Sequence, residues 1–440
     1  MSDMQSRFTA GRALILLTTV VFASCLQLLT AFAQAPDTSG NGKLESIKIT
    51  GSTKFRSEQI APATGLSPGT TITKYDLQRG ADRLAQLGLF ASVQYRFASE
   101  DTGVRAEYQV TDAPAVPVWF DNFPWFTDDE LTAALKRAVP LFDGTAPGRG
   151  SLLDEMSDAL EALLETRGVH SSVSHALAAA PVTDAQVQQF RVEHAGVNIA
   201  GVEFSDPLAR ADRGVQQRLS DVVGQPFSRT LVELFEFEQV RPVYFSHAFL
   251  RVHFGAPTAQ IMGSGGNARV TVVAPIEPGP AFGWSGVTWS GNSVASSAEL
   301  NGLIALKPGD PADGIKMEKM WNAVRDEYTR RGYLDVNLAA TPQFDDAAKR
   351  VSYAVSITEG PLYHMGKLVL TGLSIEGERR IRGAWGIAEG AAFNKDIYEQ
   401  FAATGIKQAF TGLPFHYEKV GRFLQQDPAK GTVDVLLDFQ

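Results

Sequence analysis

A short pattern that recurs along the chain constrains the fold more than any other feature of the sequence. It consists of a glycine followed four residues later by a side chain that can cap a helix, and an amphipathic run comes next. The matching copies lie at 69–73, 224–228, 309–313 and 390–394. In a further copy Pro147 replaces the glycine, and Ser151 takes the cap position. Since successive caps lie about 80 residues apart, the pattern predicts a tandem array of similar units.

The copy within residues 317–372 shows the predicted unit most fully. Apolar residues recur there at i, i+3, i+4, i+7 and i+11 and predict one buried helix face: Met317, Met320, Trp321, Val324 and Tyr328. Gly332 is predicted to end this helix. Alternating apolar residues then predict two strands, over 334–338 and 351–357, before a Glu-Gly-Pro break at 359–361.

The order helix, Gly-Tyr, strand, turn, strand, Glu-Gly-Pro, strand and glycine resembles the polypeptide-transport-associated (POTRA) domain, a periplasmic module of outer-membrane-protein assembly factors. This resemblance implies an α+β fold, a tandem array of about five β-α-α-β-β units, each a three-stranded mixed sheet covered by two helices. The predicted units cover residues 44–114, 115–197, 198–280, 281–363 and 364–440. The third unit departs from the pattern, because Arg241-Pro242 stands where a helix-ending glycine is expected.

The first 33 residues predict a targeting signal. Arg7 and Arg12 precede the uncharged run 13–32, and the Ala-Phe-Ala sequence at 31–33 has the form of a cleavage site. The mature chain would then begin with a polar linker over residues 34–43. One alternative stays open, since about 20 apolar residues can also remain in place as a membrane anchor.

Cys25 is the only cysteine and lies inside the predicted signal. A lipoprotein signal ending at Cys25 is a further alternative, ranked last because it leaves the apolar residues 26–32 directly after the lipidated cysteine. With the signal removed the chain has no thiol, which suits an oxidising compartment. We therefore expect the periplasm of a diderm bacterium, in association with the outer membrane, or else anchorage in the inner membrane by an uncleaved signal.

Residues that could perform catalysis or bind a metal do not cluster in the sequence. The seven histidines form no His-x-x-x-His pair, and no cysteine outside the signal could complete a zinc site. His247 and His253 are predicted on a strand as ordinary surface histidines. The sequence Gly-Ser-Gly at 263–265 is interpreted as a loose hairpin loop rather than a nucleophile elbow. We expect no enzymatic activity, no cofactor and no metal.

Five aromatic residues cluster near the start of the second unit: Trp119, Phe120, Phe123, Trp125 and Phe126. Grouped aromatic residues on a surface mark contact sites. The same residues would also arise as a buried strand-to-helix corner, and we favour burial.

The POTRA resemblance implies polypeptide binding by strand addition, in which an extended peptide pairs with the free edge of a sheet. In POTRA domains the second strand forms that edge, so the candidate segments are 91–97, 170–177, 247–254, 334–340 and 415–424. The third is favoured because it carries no acidic residue that would deter pairing. Its predicted binding residues are Ala248, Phe249, Leu250, Arg251, Val252 and His253. An edge that only faces solvent or the next unit accounts for the same pattern.

The sequence therefore predicts a non-enzymatic periplasmic scaffold or polypeptide-binding module in outer-membrane protein assembly or polypeptide transport. Expected partners are unfolded outer-membrane proteins and an outer-membrane barrel assembly protein or other envelope proteins, since no series of alternating strands is left over for a barrel. The formal net charge of −9 argues against nucleic acid as a partner. A membrane-anchored structural protein, as among division proteins, and a secreted hydrolase are the alternatives.

Overall fold

The computed structural model describes residues 42–100, 103–263, 268–412 and 417–440. The predicted signal, the linker up to residue 41, Ser264 with Gly265, and the first two residues of the 415–424 candidate lie outside the described residues.

Five mixed sheets follow one another along this part of the chain, and the first two have four strands each. Sheet 1 contains β1 (Gly42–Thr50), β2 (Thr71–Ile72), β3 (Phe90–Glu100) and β4 (Gly103–Asp112), with helices α1 (Ser57–Ile60) and α2 (Lys74–Gln86). Sheet 2 contains β5 (Ala115–Phe120), β6 (Thr145–Pro147), β7 (Val173–Ala179) and β8 (Gln186–Val192), with helices α3 (Asp128–Ala138) and α4 (Ser151–Glu165).

Sheet 3 has three strands and a longer set of helices. Its strands are β9 (Asn198–Phe204), β11 (Thr258–Met262) and β12 (Arg269–Ala274), while β10 (His253–Phe254) and β13 (Ile276–Glu277) form a separate ribbon. Its helices are α5 (Pro207–Ala211), α6 (Arg213–Arg218), α7 (Arg229–Phe235) and α8 (Arg241–Ser246). A π-helical segment, Glu236–Val240, joins α7 to α8.

Sheets 4 and 5 complete the series with three strands each. Sheet 4 contains β14 (Gly283–Ser290), β15 (Asn337–Asp345) and β16 (Arg350–Thr358), with helices α9 (Ser297–Gly302) and α10 (Gly314–Arg330). Sheet 5 contains β17 (His364–Thr371), β18 (Val420–Asp427) and β19 (Thr432–Phe439), with helices α11 (Ile375–Ala384), α12 (Lys395–Gln400) and α13 (Ile406–Ala409). A second π-helical segment, Phe401–Gly405, joins α12 to α13.

The five sheets share one topology. In each, the first strand pairs in parallel with the last strand. The last strand also pairs antiparallel with the long strand before it, and therefore lies between the other two. Mixed sheets accompanied by helices, repeated along the chain, confirm the predicted α+β class.

The recurring glycine has the same role in sheets 1, 3, 4 and 5. Its N–H donates to a carbonyl of the first strand at 2.7–2.8 Å, and its φ is positive. The donor and acceptor pairs are Gly69 with Leu44, Gly224 with Ile199, Gly309 with Trp284 and Gly390 with Met365. The predicted caps Thr73, Ser228, Asp313 and Asn394 each accept a backbone N–H from the first turn of the helix, which confirms these four cap assignments.

Sheet 2 differs from the prediction by the length of one loop. The N-cap of α4 is Gly150, with φ of 126°, and Ser151 is already the first helical residue. Pro147 lies in β6, which pairs with the start of β5, and the glycine with positive φ that precedes this strand is Gly144. Residues 148–150 lengthen the connection, so the assignments of Ser151 as cap and Pro147 as the glycine equivalent were wrong.

The third unit also contradicts one prediction, because its helix continues past Arg241-Pro242. Pro242 lies in the first turn of α8, directly after the π-helical segment. N–H groups of a first turn have no α-helical partner, so a residue without an N–H is tolerated there. The helix ends at Ser246, later than the sequence predicted. The strand that follows it in this unit therefore also lies later in the chain than predicted.

Neighbouring sheets share apolar contacts. The buried residues of sheets 1 and 2 form one continuous cluster. Trp125, from the loop before α3, packs against the core of sheet 3. Ala248 belongs to the core that surrounds Trp284 in sheet 4, and Leu334 packs against the core of sheet 5. The connections between the sheets are therefore packed contacts rather than free tethers.

Candidate functional site

Because the last strand of each sheet is central, the long strand that precedes it in the chain lies at an edge. These edge strands are β3, β7, β11, β15 and β18. Four of the candidate segments overlap them, although β7 begins only at Val173, β15 at Asn337 and β18 at Val420. The remaining candidate, 247–254, does not overlap an edge strand of a sheet.

The predicted strand over 247–254 was wrong except for its last two residues. Ala248 has a φ of 65°, is 1% exposed, and receives a hydrogen bond from the Phe282 N–H at its carbonyl. The N–H groups of Ala248 and Phe249 donate to carbonyls at the end of α8, so this segment winds off a helix. The apolar alternation that predicted a strand instead places Ala248 and Leu250 against the core of sheet 4.

The predicted binding residues are thus distributed over different contacts. Arg251 forms an ion pair with Asp346 at 2.7 Å, and His253 pairs with Glu277 in the two-stranded ribbon. Phe249 packs against Tyr244 with ring centroids 6.2 Å apart, and Val252 packs against the core of sheet 3. The free edge of sheet 3 is β11, a segment that the sequence analysis assigned to no strand.

The edge strands differ in how well they are protected against pairing. Charged side chains and proline on an edge strand oppose the addition of another strand. Strands β3 and β18 each carry an arginine and an acidic residue, and β15 carries Pro342 and Asp345. Only β7 and β11, among the edge strands named above, carry neither a lysine, arginine or acidic residue nor a proline.

Strand β11 has an additional feature, because a groove of about 530 Å³ opens at its start. Thr258 and Ala259 line one side, and Phe123, Trp125 and Phe126 line the other. Phe123 is buried, with 5% exposure, whereas Trp125 and Phe126 are half-buried. The aromatic cluster is therefore partly core and partly groove wall, and the preference for burial alone was incomplete.

Charged residues also line this groove, between sheets 2 and 3, among them Asp121, Asp128 and Arg229. Arg229 donates to Asp128 and to Glu233, and its guanidinium lies 4.3 Å from the ring centroid of Trp119. Asp121 is fully buried and accepts from Ser228 and from the Thr230 N–H, each at 2.9 Å. These contacts join the end of β5 to the start of α7.

One carboxylate of this region has no hydrogen-bond partner. Glu236 is 1% exposed, and neither side-chain oxygen is within hydrogen-bond reach of a partner in the described structure. Burial raises the pKa of Glu236 to about 8, and the negative charge of Glu233 acts in the same direction. The side chain is therefore mostly neutral at pH 7, and Glu236 is the first residue of the π-helical segment.

No grouping of three or more His, Cys, Asp or Glu side chains in the described ranges is suited to hold a metal ion. His247 lies at the end of α8, with Nδ1 2.8 Å from the Val243 carbonyl. In the same ranges, no helix combines the length and hydropathy needed to cross a membrane.

Comparisons with known proteins identify two of the sheets. The family model described as "POTRA: Surface antigen variable number repeat" matches residues 42–112 and 283–360, which form sheets 1 and 4. A segment of 103 residues is 28% identical to a candidate outer membrane protein assembly factor of Treponema pallidum (strain Nichols). This segment is 23% of the chain and spans only 12% of that relative's length.

Solved structures similar to this chain include POTRA domains. The POTRA3–5 structure of BamA from Haemophilus influenzae matches 56% of this chain and 96% of its own, with 18% identity and a TM-score of 0.43. The N-terminal domain of Omp85 from Thermosynechococcus elongatus matches 55% of this chain and 96% of its own, with 17% identity and a TM-score of 0.23.

Proposed function

We propose that this protein is a non-enzymatic scaffold that binds polypeptides during outer-membrane protein assembly or polypeptide transport, because residues 42–112 and 283–360 match the POTRA family model. The name of the Treponema relative supports this role. The proposed ligands are unfolded outer-membrane proteins, and the proposed partners are assembly proteins of the cell envelope. The periplasm is the proposed location.

The observation that carries the proposal is the unprotected edge of β11. Its sequence, Thr-Ala-Gln-Ile-Met, contains no charge and no proline, and its outer side has no strand partner in the described sheet. An extended peptide can pair there through backbone N–H and C=O groups, which requires no particular sequence. Met262, the last residue of β11, is half exposed, and the aromatic wall of the groove at the start of this strand can contact an apolar side chain.

Site-specific crosslinking tests this binding mode. A photoreactive phenylalanine analogue replaces Gln260, an exposed residue of β11, and in a second variant replaces Gln425, an exposed residue of β18, whose edge carries Arg422 and Asp427. With a urea-unfolded outer-membrane protein as probe, we expect several-fold more crosslinking from position 260. Equal yields at the two positions, or no yield at 260, would contradict binding at β11.

The division into five units at 44–114, 115–197, 198–280, 281–363 and 364–440 is part of the proposal. Each of the last four intervals encloses one sheet, whereas sheet 1 begins at Gly42, two residues before the first interval. The alternative role, a membrane-anchored structural protein, is separated by N-terminal sequencing of the protein isolated from envelopes. A start near Gln34 supports a released periplasmic protein, and an intact run 13–32 supports the anchored alternative.

A further inference from the structure

A second groove, of about 520 Å³, lies where sheet 3 meets sheet 4. Its walls come from helices α8 and α10 and from the edge of sheet 4. The groove is aromatic and cationic at once, because the lining includes Trp321, Phe344 and Tyr353 together with Arg241, Arg251 and Arg325.

The guanidinium of Arg241 is held in this groove and forms no hydrogen bond or ion pair with the described residues. Its guanidinium carbon lies 3.7 Å from the ring centroid of Phe237 and 4.9 Å from that of Phe245. The side chain is half-buried, and burial lowers its pKa although the charge of Glu318 opposes this shift. An arginine remains charged in proteins and presents five N–H donors in one plane. The two rings therefore hold a charged guanidinium whose donors are not used by the described residues.

The other charges of the groove leave a positive excess. Arg251 is paired with Asp346 at 2.7 Å and lies over the ring of Phe344 at 3.9 Å. Arg325 donates to the neutral amide of Asn322. Glu318 is the acidic side chain in the lining. Three guanidiniums thus face two carboxylates, so the groove attracts an anion.

We propose that this groove binds a polypeptide segment in which an acidic side chain stands next to an aromatic or large aliphatic side chain. The carboxylate pairs with the fork of Arg241, because a guanidinium and a carboxylate can form two parallel hydrogen bonds. The apolar side chain packs against Trp321 and Tyr353. The inference rests on the proposed function in one respect, that the ligand is a polypeptide.

The mode of binding differs from strand addition at β11. Pro342 lies on the adjacent edge strand β15 and has no N–H to donate, so recognition here depends on side chains. A membrane surface is the less suitable ligand. Attraction to anionic lipid headgroups requires several basic residues on an exposed face, whereas these arginines line a groove of a chain with net charge −9.

The test uses the full chain and two fluorescent ten-residue peptides that differ in one atom group, one with a central Phe-Glu and one with a central Phe-Gln. We expect fluorescence anisotropy to show that the Phe-Glu peptide binds about tenfold more tightly or better. The Phe-Gln peptide lacks the carboxylate that forms a charge-assisted bidentate pair with Arg241. Arg241→Gln should abolish this difference, and Arg241→Lys should restore only part of it. Arg213→Gln, an exposed arginine on α6, should leave it unchanged.

The peptide comparison is made on the unaltered protein, so its result does not depend on the folding of a variant. Equal affinity for the two peptides would overturn the proposal. Phosphatidylglycerol vesicles that bind in an Arg241-dependent way, while neither peptide binds, would overturn it in favour of a membrane surface. Crosslinking from position 260 should persist in Arg241→Gln, so failure of β11 binding and failure of this groove give separate results.

Discussion

At the scale of single residues, two glycines of sheet 4 show two different reasons why a position requires glycine. Gly291 has a φ of 75°, and a Cβ there would lie 2.2 Å from the Ile357 carbonyl oxygen. Gly309, in the same sheet's connection, has a φ of 97° but no atom within 4 Å of the place of a Cβ. Backbone strain acts at both positions, while a steric clash acts only at Gly291.

Replacing these glycines by alanine should therefore have unequal effects. We expect Gly309→Ala to lower the free energy of unfolding by about 1 kcal/mol, through strain alone. Gly291→Ala should cost about 2–4 kcal/mol, because the Ile357 carbonyl must also move. Chemical denaturation followed by tryptophan fluorescence measures both. A larger loss in Gly309→Ala would contradict this account.

Glu236 should make stability depend on pH. Its ordinary pKa is 4.5 and its pKa in the fold is about 8. Between these values the unfolded chain has released the proton and the folded chain retains it, so the free energy of unfolding falls as pH rises from about 4.5 to 8. The Glu236→Gln variant keeps the shape of the side chain without the proton equilibrium.

Thermal unfolding at pH 5 and pH 8 tests this effect. Glu236→Gln should unfold at a higher temperature than the unaltered protein at pH 8, by an amount that corresponds to about 2 kcal/mol or more, and the difference should shrink at pH 5. A constant difference at both pH values would show that Glu236 is not the group responsible.

The residues whose roles the sequence predicted correctly are those that interact with close neighbours along the chain. Thr73, Ser228, Asp313 and Asn394 cap helices because their side chains accept N–H groups within three residues. Glu236 could not be predicted in this way. Nothing in the sequence around it indicates burial of a carboxylate, which results from the packing of sheet 3 against its π-helical segment.

At the scale of elements, α10 depends on its N-terminal cap. Asp313 accepts hydrogen bonds from the N–H groups of Ile315 and Lys316, each at 3.0 Å. Asp313→Ala should lower the free energy of unfolding by about 0.5–2 kcal/mol. Asp326→Ala, at an exposed position inside the same helix, is the matched control and should change stability by less than about 0.5 kcal/mol. An equal loss in Asp326→Ala would contradict the capping account.

The third unit shows why an element can be misplaced from sequence. Residues 250–254 alternate apolar and polar side chains, and alternation over so short a run also arises where a chain winds off a helix. The missing glycine suggested that the helix ended near Pro242, whereas the π-helical segment before it allows the helix to continue to Ser246. The free edge therefore moved from the predicted segment to β11.

At the scale of the whole molecule, sheets 1 and 2 share one core and should behave as one unit. Their seam includes Gly150, where a Cβ would lie 2.4 Å from the Leu87 carbonyl oxygen. Gly150→Ala should increase amide hydrogen exchange in both sheets, because loosening one seam exposes both halves of the shared core. Gly148→Ala is the control, since a Cβ there meets nothing within 4 Å. Faster exchange confined to sheet 2 would contradict a shared cooperative unit.

The repeat was predictable from the sequence, whereas the side-chain contacts between neighbouring repeats were not. Periodic caps and turns depend on neighbours along the chain. The ion pair between Arg251 and Asp346, and the groove around Arg241, depend on how one sheet meets the next. No local pattern indicates which side chains will face each other across such a seam.

The central position of the last strand has a consequence for synthesis. In every sheet the strand that completes the hydrogen-bond ladder is the last to leave a ribosome or a translocation channel, and it must enter between two strands that are already outside. Until the last strand arrives, the first strand and the edge strand lack the central strand to which both form backbone hydrogen bonds. The nascent chain should therefore acquire structure in discrete steps of one repeat, with an interval before each step in which a chaperone can hold the unfinished sheet.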